Sequence, residues 1–363
     1  MRTMQRGSKA AGAGAVAALG VFDGVHLGHR ALFREASALR GDAGLPVVAV
    51  TFHPHPRTLT GQPDGYDRLL TPPDEKSALI EDEGADYLMS VPFTRELAST
   101  PPLEFARSFL AGELQARRVV CGFNFTFGYR GAGTPEDLVR WGKDLGFSVT
   151  VVPPCEAGGE IVSSTRIRAA LAEGDVAGAA LCLGRPYCLA GRVTPGDGRG
   201  RRIGIPTSNV EIPDGKIVPG NGVYAALARV AVSPGGVAVP RSWKRVLIRE
   251  HLAVVNVGTR PTFGGEGVRV EAHIPGFDGV LYGQTIQVFF LGRLRDEQEF
   301  PDALALRAQV EEDIGEAQAA FGAGLSRDRI LSRGGAAPGG APGQGASFTM
   351  PGAYDRMLAS SLP

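Results

Sequence analysis

The feature that most limits how this chain can fold is a strand–turn–helix–strand series near its start. AVAALGV (residues 15–21) is a short apolar run that breaks at Asp23-Gly24, and HRALFREASALR (29–40) follows at helical spacing. Leu32, Ala36 and Leu39 are expected along one buried stripe of that helix, and PVVAVTF (46–52) reads as a second buried strand. Two strands joined by a helix must run parallel, because the helix carries the chain back to the starting edge. The alternation continues with PPLEFARSFLAGELQA as helix, RVVCGFNF as strand, TPEDLVRWGKDLG as helix and SVTVVP as strand. This pattern predicts an α/β domain with a Rossmann-like parallel sheet covered on both faces. Such sheets bind ligands outside the carboxyl ends of their strands, where the turn Asp23–His29 falls.

After the helical stretch SSTRIRAALAEGDVAGAALCLG the texture changes. From about Arg185 the chain is a set of short strands punctuated by Gly and Pro: YCLAGRV, GVYAALARV, LAVVNVG, VRVEAHI and QTIQVFFLGRL. Regular short strands with turns between them predict a small antiparallel β-barrel. DALALRAQVEEDIGEAQAAF (302–321) reads as a closing amphipathic helix, and GGAAPGGAPGQGASF beyond about Ser332 is too poor in apolar residues to order itself. The expected division is therefore 1–183, 184–325, and a low-complexity, disordered tail over 326–363. The 363 residues suffice for two ordinary domains.

Acidic and basic residues balance at 38 each, so no overall field favours nucleic acid or a membrane surface. No stretch is apolar for long enough to span a bilayer. Cys121, Cys155, Cys182 and Cys188 have neither metal-ligand nor disulfide-scaffold spacing, which suits a reducing, cytoplasmic setting. The start MRTMQRGSKAAGAGAVAALG puts basic residues ahead of a mildly apolar run, as a secretion leader does. Cleavage there would destroy the turn that follows, so no leader is expected.

The chemistry concentrates in that turn, GVFDGVHLGH (20–29). His26 and His29 are three apart and face one side of the first helical turn. Gly24 and Gly28 let backbone approach a ligand closely, and the helix start offers free N–H groups to phosphates. Two imidazoles there can donate to phosphoryl oxygens as charge develops on them. The bland alternative is a pair of surface or capping histidines. In TFHPHP, Pro54 and Pro56 imply a rigid loop after a strand, with His53 structural and His55 lining the site. In SSTRIR, Ser164 reads as a helix N-cap, with Thr165 and Arg168 adding a second hydroxyl and a guanidinium.

The second half carries its own set. GDGRGRRIGIPTSNV (196–210) puts four glycines, Gly198 and Gly200 among them, ahead of P-T-x-N. Thr207 and Asn209 share a face of an extended chain, where a hydroxyl and an amide oxygen can hold Mg²⁺ together with phosphates. The alternative is a plain Gly-rich hairpin. VRVEAHI (268–274) alternates, with Val268, Val270, Ala272 and Ile274 on one side and Arg269, Glu271 and His273 on the other. No G-x-x-x-x-G-K-[ST] string occurs, so any kinase here is not a P-loop enzyme.

H-x-G-H after a strand is similar to the adenylyl-transferring nucleotidyltransferases. With TFHPHP, GFNFTFGYRGAGT (122–134), SSTRIR, the P-T-x-N segment, NVGTRPTFGG (256–265) and VRVEAHI in this order, residues 15–320 resemble the bifunctional bacterial riboflavin kinase/FAD synthetases. The resemblance implies FMN adenylylation by ATP in the first half and riboflavin phosphorylation in the second, with Mg²⁺ as metal and riboflavin, FMN and ATP as ligands. It implies phosphate binding by His26, His29, Gly24 and Gly28, with Ser164, Thr165 and Arg168 gripping the triphosphate. It further implies flavin contacts from Asn124 and His55, a Gly-rich ATP loop at Gly198 and Gly200, and metal ligation by Thr207 and Asn209. Glu271 corresponds to the general base and Arg295 to an arginine near the flavin, although only five of the 38 basic residues are Lys and arginine is abundant. Three departures stand out: Glu160 where relatives carry a basic residue, Val280 in place of an acid, and a long segment over 232–251. Val280 is peripheral, whereas Glu160 and the 232–251 segment keep open a chain with one active half; a flavin-binding sensor that has kept the fold is a separate alternative.

Overall fold

A computed structural model describes residues 1–4, 14–42, 44–59, 67–196, 200, 204–232, 245–262, 265–321, 327–332 and 352–360. The chain divides into two compact units, Met1–Ser164 and Thr165–Pro363.

The first unit is built on a six-stranded parallel sheet of order β1-β4-β3-β2-β5-β6. Its strands are β1 (Arg2–Met4), β2 (Ala15–Leu19), β3 (Val47–His53), β4 (Tyr87–Pro92), β5 (Ala116–Gly122) and β6 (Ser148–Val152). β2 is central and every one of its residues is buried, as expected of a strand covered on both faces. Helix α1 (Leu27–Ala38) connects β2 to β3 and α2 (Pro73–Asp82) leads into β4. The chain then crosses to the other side of β2 to form β5. The strand order thus reverses between β2 and β5, which puts a crevice at their carboxyl ends.

The turn of α1 that packs inward carries Leu32, Phe33 and Ala36, whereas Leu39, expected on the stripe, caps the helix. The helix ends at Ala38, so Leu39 has left the helical path and is only half-buried, while Phe33 is fully buried beside Leu32 and Ala36. The segment expected as one helix after Pro101 is a short α turn, Pro102–Glu104, running into a π-helical stretch, Phe105–Glu113, that buries Phe105, Ala106, Phe109 and Leu110. Helix α3 (Pro135–Leu145) starts with a capping box between Thr134 and Asp137 and stops at Gly146 in the left-handed region. A small hairpin, β7 (Glu156–Ala157) and β8 (Glu160–Ile161), follows β6.

In the second unit, α4 (Ser164–Ala172) and α5 (Val176–Leu183) precede a closed barrel of six antiparallel strands. These are β9 (Tyr187–Thr194), β10 (Thr207–Glu211), β11 (Gly222–Val232), β12 (Arg245–Thr262), β13 (Gly265–His273) and β14 (Thr285–Arg295). They pair in the order β9-β10-β13-β12-β11-β14, and β14 closes onto β9. Val270 and Ala272 on β13, and Ile274 just after it, are buried as the alternation requires, but Val268 is 45% exposed. Helix α6 (Ala303–Phe321) lies over β11 and β12, where Ala317 joins Val223, Ala225 and Val254.

The segment expected as a disordered tail holds two ordered elements. β15 (Arg327–Ser332) adds to β12, and α7 (Gly352–Ser360) buries Ala353, Tyr354 and Leu358. The reason is local: AYDRML supplies the aromatic and aliphatic side chains that the Gly/Pro stretch before it lacks. That stretch, and the start of the 232–251 segment, lie outside the described residues.

Candidate active sites

In the first unit the site turn follows β2 directly. Phe22 (φ 54°), Gly24 (φ 90°) and Val25 (φ 41°) all sit at positive φ. Only the glycine adopts this without strain, and a β-branched residue there is a real outlier. Such a turn persists only where its surroundings over-determine it. Here Thr71 donates its N–H to Asp23 Oδ1 at 3.1 Å and accepts from Gly24 N at 2.9 Å. Ser164 Oγ donates to Asp23 O at 2.8 Å, while Thr51 Oγ1 and Lys76 Nζ donate to Val21 O at 2.8 and 3.1 Å. Asp23 itself is 1% exposed. Burial lowers the Lys76 pKa from its ordinary 10.5, with Asp23 opposing that shift.

The strained turn ends on His26, the N-cap of α1, whose Nδ1 accepts from His29 N at 3.4 Å. The two imidazoles stack, with ring centroids 3.7 Å apart and planes 17° from parallel. Phe22 packs edge-on against His29 at 5.3 Å. Gly28 leaves room for the stack, since a Cβ there would lie 3.2 Å from both Cε1 and Nδ1 of His26. Both histidines, Gly24 and Gly28 therefore meet at one helix start at the carboxyl end of β2, a ready anion site. Asn124 is exposed in the turn after β5, across the strand-order reversal from them. His55 follows β3, and its Nδ1 accepts from Arg57 N at 3.2 Å. Ser164 buttresses Asp23 and starts α4. Thr165 is exposed and Arg168 half-buried in the second unit. Glu160 is exposed in the β7–β8 hairpin. Thr71 and Lys76 were not singled out from sequence. The one available signal was Lys76 standing four before Ile80 on the buried stripe of α2.

In the barrel, Asn209 on β10 lies directly across from Glu271 on β13, and Thr207 across from His273. Register partners share a sheet face, so these four side chains and Arg269 form one polar face opposite Val270, Ala272 and Ile274. Arg269 donates from Nε to Asn209 Oδ1 at 2.8 Å and pairs through Nη2 with Glu271 Oε1 at 2.8 Å. His273 Nδ1 meets Pro206 O at 2.8 Å. A Cβ on Gly200 would collide with the Ile205 carbonyl and approach Thr207 Oγ1 at 3.3 Å, and one on Gly196 would collide with the Asn209 amide. The glycines let the loop lie against the T-x-N pair. Gly198 lies outside the described residues. On the other side of Glu271, its β12 partner Asn256 donates to Glu297 Oε1 at 3.1 Å. Gly196 and Arg269 lie in motifs that the sequence shows but carry no role there, and Glu297 is an addition. Asn256 opens NVGTRPTFGG, a motif to which no residue role had been attached.

Arg295 is held by a two-pronged pair with Asp313 of α6, at 2.8 Å from Nε and Nη2, with the Phe300 ring 5.7 Å from its guanidinium. Asp313 is 1% exposed. Val280 is 66% exposed, away from these contacts.

A strained strand–helix turn with paired imidazoles and a Gly-backed T-x-N/Glu face define a two-site protein of phosphate chemistry. Residues 8–166 match the FAD synthetase family and residues 183–321 the riboflavin kinase family. The chain is 37% identical to the bifunctional riboflavin kinase/FMN adenylyltransferase of Bacillus subtilis, over 83% of its own length and 91% of that protein. For the enzymes of the same name in Listeria monocytogenes and Escherichia coli K12 the identities are 33% and 34%, covering 92% and 95% of those proteins. A Streptococcus pneumoniae crystal structure described as a macrolide-efflux protein superposes with a TM-score of 0.76 at 31% identity, over 88% of this chain and 99% of that one. Among the described residues no helix is long and apolar enough to cross a membrane. The chain belongs to the bifunctional riboflavin kinase/FMN adenylyltransferase family.

Proposed function

We propose that the chain carries both activities of its family: ATP-dependent phosphorylation of riboflavin to FMN, then adenylylation of FMN to FAD with release of pyrophosphate. The observation that carries this reading is the coexistence of two intact constellations in one chain, the stacked His26/His29 at a helix start and the Asn209–Arg269–Glu271 cluster. A pure binding protein needs no proton acceptor beside a phosphate loop.

In the adenylyltransferase half, assigned to residues 1–183, FMN phosphate oxygen attacks the ATP α-phosphorus and the bond to pyrophosphate breaks. His26 and His29, with the N–H groups of the α1 start and the glycines Gly24 and Gly28, bind the phosphates and stabilise charge developing on their oxygens. Ser164, Thr165 and Arg168 offer donors to the departing pyrophosphate. Asn124 and His55, at the carboxyl ends of β5 and β3, contact the flavin nucleotide.

In the kinase half, assigned to residues 184–325, Glu271 takes the proton of the riboflavin 5′-hydroxyl as that oxygen attacks the ATP γ-phosphorus. Arg269 orients the Glu271 carboxylate and the Asn209 amide, and Gly198 and Gly200 bring backbone to the phosphates. Thr207 and Asn209 supply hard oxygen donors of the kind Mg²⁺ shares with phosphates, and the described residues hold no cluster of three His, Cys, Asp or Glu for a protein-only metal cage. Bound there, Mg²⁺ would neutralise phosphate charge. Arg295 acts on the flavin side by fixing α6 through Asp313. No disulfide joins the four cysteines, which supports assignment to the cytoplasm.

The test is incubation of purified protein with riboflavin, ATP and Mg²⁺, with flavins separated by chromatography. FMN and FAD both appear on this reading. FMN alone would remove the second activity, and unchanged riboflavin would point to a sensor.

A further inference from the structure

Three strands of the barrel each put one polar residue at the same level of the outer wall. Gln287 on β14, Arg229 on β11 and Glu250 on β12 are successive register partners, and all three are buried. A guanidinium that is 1% exposed is tolerated only when its donors are paired. Glu250 takes two of them, at 2.7 Å from Nε and 2.6 Å from Nη2. The third, Nη1, reaches Asp355 of α7 at 3.0 Å. Alongside, Gln287 Nε2 donates to Tyr354 O at 2.7 Å, and the Tyr354 ring stands edge-on to Phe289 at 5.1 Å. Phe289 in turn lies under the Arg229 guanidinium at 5.0 Å. Helix α7 is what completes burial of this polar row.

The same extension holds the wall a second way. β15 pairs with the first six residues of β12, from Arg245↔Ser332 to Glu250↔Arg327. Those residues lie within the 232–251 segment. The riboflavin kinase match ends at residue 321, so β15 and α7 both lie beyond it. Glu250 is the junction: its backbone pairs with β15, while its carboxylate joins Arg229 and, through it, Asp355.

We infer that residues 327–332 and 352–360 form a built-in docking module for the kinase barrel, whose two elements act together to hold the long distal half of the β11–β12 hairpin. β15 does so along the backbone, and α7 through a Tyr-Asp pair read by Arg229, Gln287 and Phe289. The occupant of this wall is the chain's own C-terminal helix. Coupling of the two elements is what separates the inference from local packing of a terminal helix, because a packed helix need not protect a strand pair on the far side of Glu250.

The test is hydrogen exchange on the full chain with Asp355→Ala and with Tyr354→Ala, neither residue belonging to either active site. Exchange is expected to rise at least about tenfold in residues 245–250 and 327–332 as well as in 352–360. Faster exchange confined to 352–360 would overturn the inference. Independently, a protease site inserted between Gly334 and Gly345 is used to cut the chain after folding. The cut fragment is expected to co-elute with the barrel in gel filtration and, carrying Asp355→Ala, to separate from it. A wild-type fragment that leaves without changing exchange at 245–250 would overturn it as well.

Discussion

Glu271 lies directly across from Asn209 on the neighbouring strand, and Arg269 ties the two together with 2.8 Å contacts to each. The proposed base and the proposed metal ligand are thus held by one guanidinium. Glu271→Gln keeps the shape and removes the proton acceptor, so riboflavin phosphorylation should fall by about 10²–10⁴-fold. FMN-to-FAD conversion should be unchanged when FMN is supplied. Loss of both activities would show that the substitution acted on folding rather than on chemistry.

Arg269→Ala tests the positioning role. It leaves Glu271 and Asn209 chemically intact but unguided, so kcat for FMN formation should drop while thermal stability barely moves. The pair is partly exposed, and pairs of that kind contribute little to stability. Arg269→Lys keeps the charge without the fork that reaches both partners, and should rescue little. A lysine variant with full activity would reduce Arg269 to a source of charge.

At the other site, Gly28→Ala should move stability and activity in opposite directions. Gly28 is the second residue of α1, so alanine there gains only part of the ~1 kcal/mol that it brings to a helix interior. Its Cβ, however, would sit 3.2 Å from the His26 ring and press on an imidazole stack only 3.7 Å deep. FAD formation should fall while the melting temperature holds or rises. His26→Asn makes the complementary point: asparagine can still cap α1, but it removes an imidazole donor, and loss of one such donor costs about 10²–10³-fold.

Lys76 gives the first unit a pH signature. Burial lowers its pKa below 10.5 in the folded chain, so on raising the pH the folded state releases this proton before the unfolded state does. Over that window the unfolded state binds more protons, and stability attributable to Lys76 rises with pH up to about 10.5. Lys76→Met removes the titration. The melting temperature of wild type minus that of the variant should therefore climb as the pH is raised toward 10.5, read by calorimetry in matched buffers. A flat difference would mean that the ammonium is hydrated.

How far the sequence reaches is visible residue by residue. The β2–α1 turn was legible because glycines, histidines and the period change from strand to helix all coincide within ten residues. The T-x-N and Glu271 face was legible because alternation fixes which side chains share a side. Thr71, Lys76, Asn256 and Glu297 were not, since each meets its partner through tertiary contacts that leave no local pattern. The same holds for Arg295: its position could be anticipated, but its pairing with Asp313, 18 residues on, depends on how α6 docks. Helix α7 was missed for a different reason. A Gly/Pro stretch dominates the composition of its surroundings, and six residues with a Tyr-Asp pair gain a reason to order only from a wall with a buried arginine.

The cysteines offer a last test, one that reads the first site by chemical labelling. Cys121 is fully buried on β5, and burial, with Glu136 adding to it, pushes its thiol up to about 12. The reactive species is the thiolate, so Cys121 should stay unmodified by iodoacetamide at pH 8 for as long as the fold holds. Cys182 and Cys188 are buried as well, whereas Cys155 is half-exposed, and its Cβ would lie 3.9 Å from a Cβ added to Gly28. Cys155 should therefore label first, and the adduct would crowd the helix start where the phosphates are proposed to bind. ATP with Mg²⁺ should slow that labelling, and labelled protein should lose FAD formation while retaining FMN formation. Peptide mapping by mass spectrometry decides it: unimpeded labelling of Cys155 in saturating ATP would move the nucleotide away from the α1 start and undo the assignment of His26 and His29.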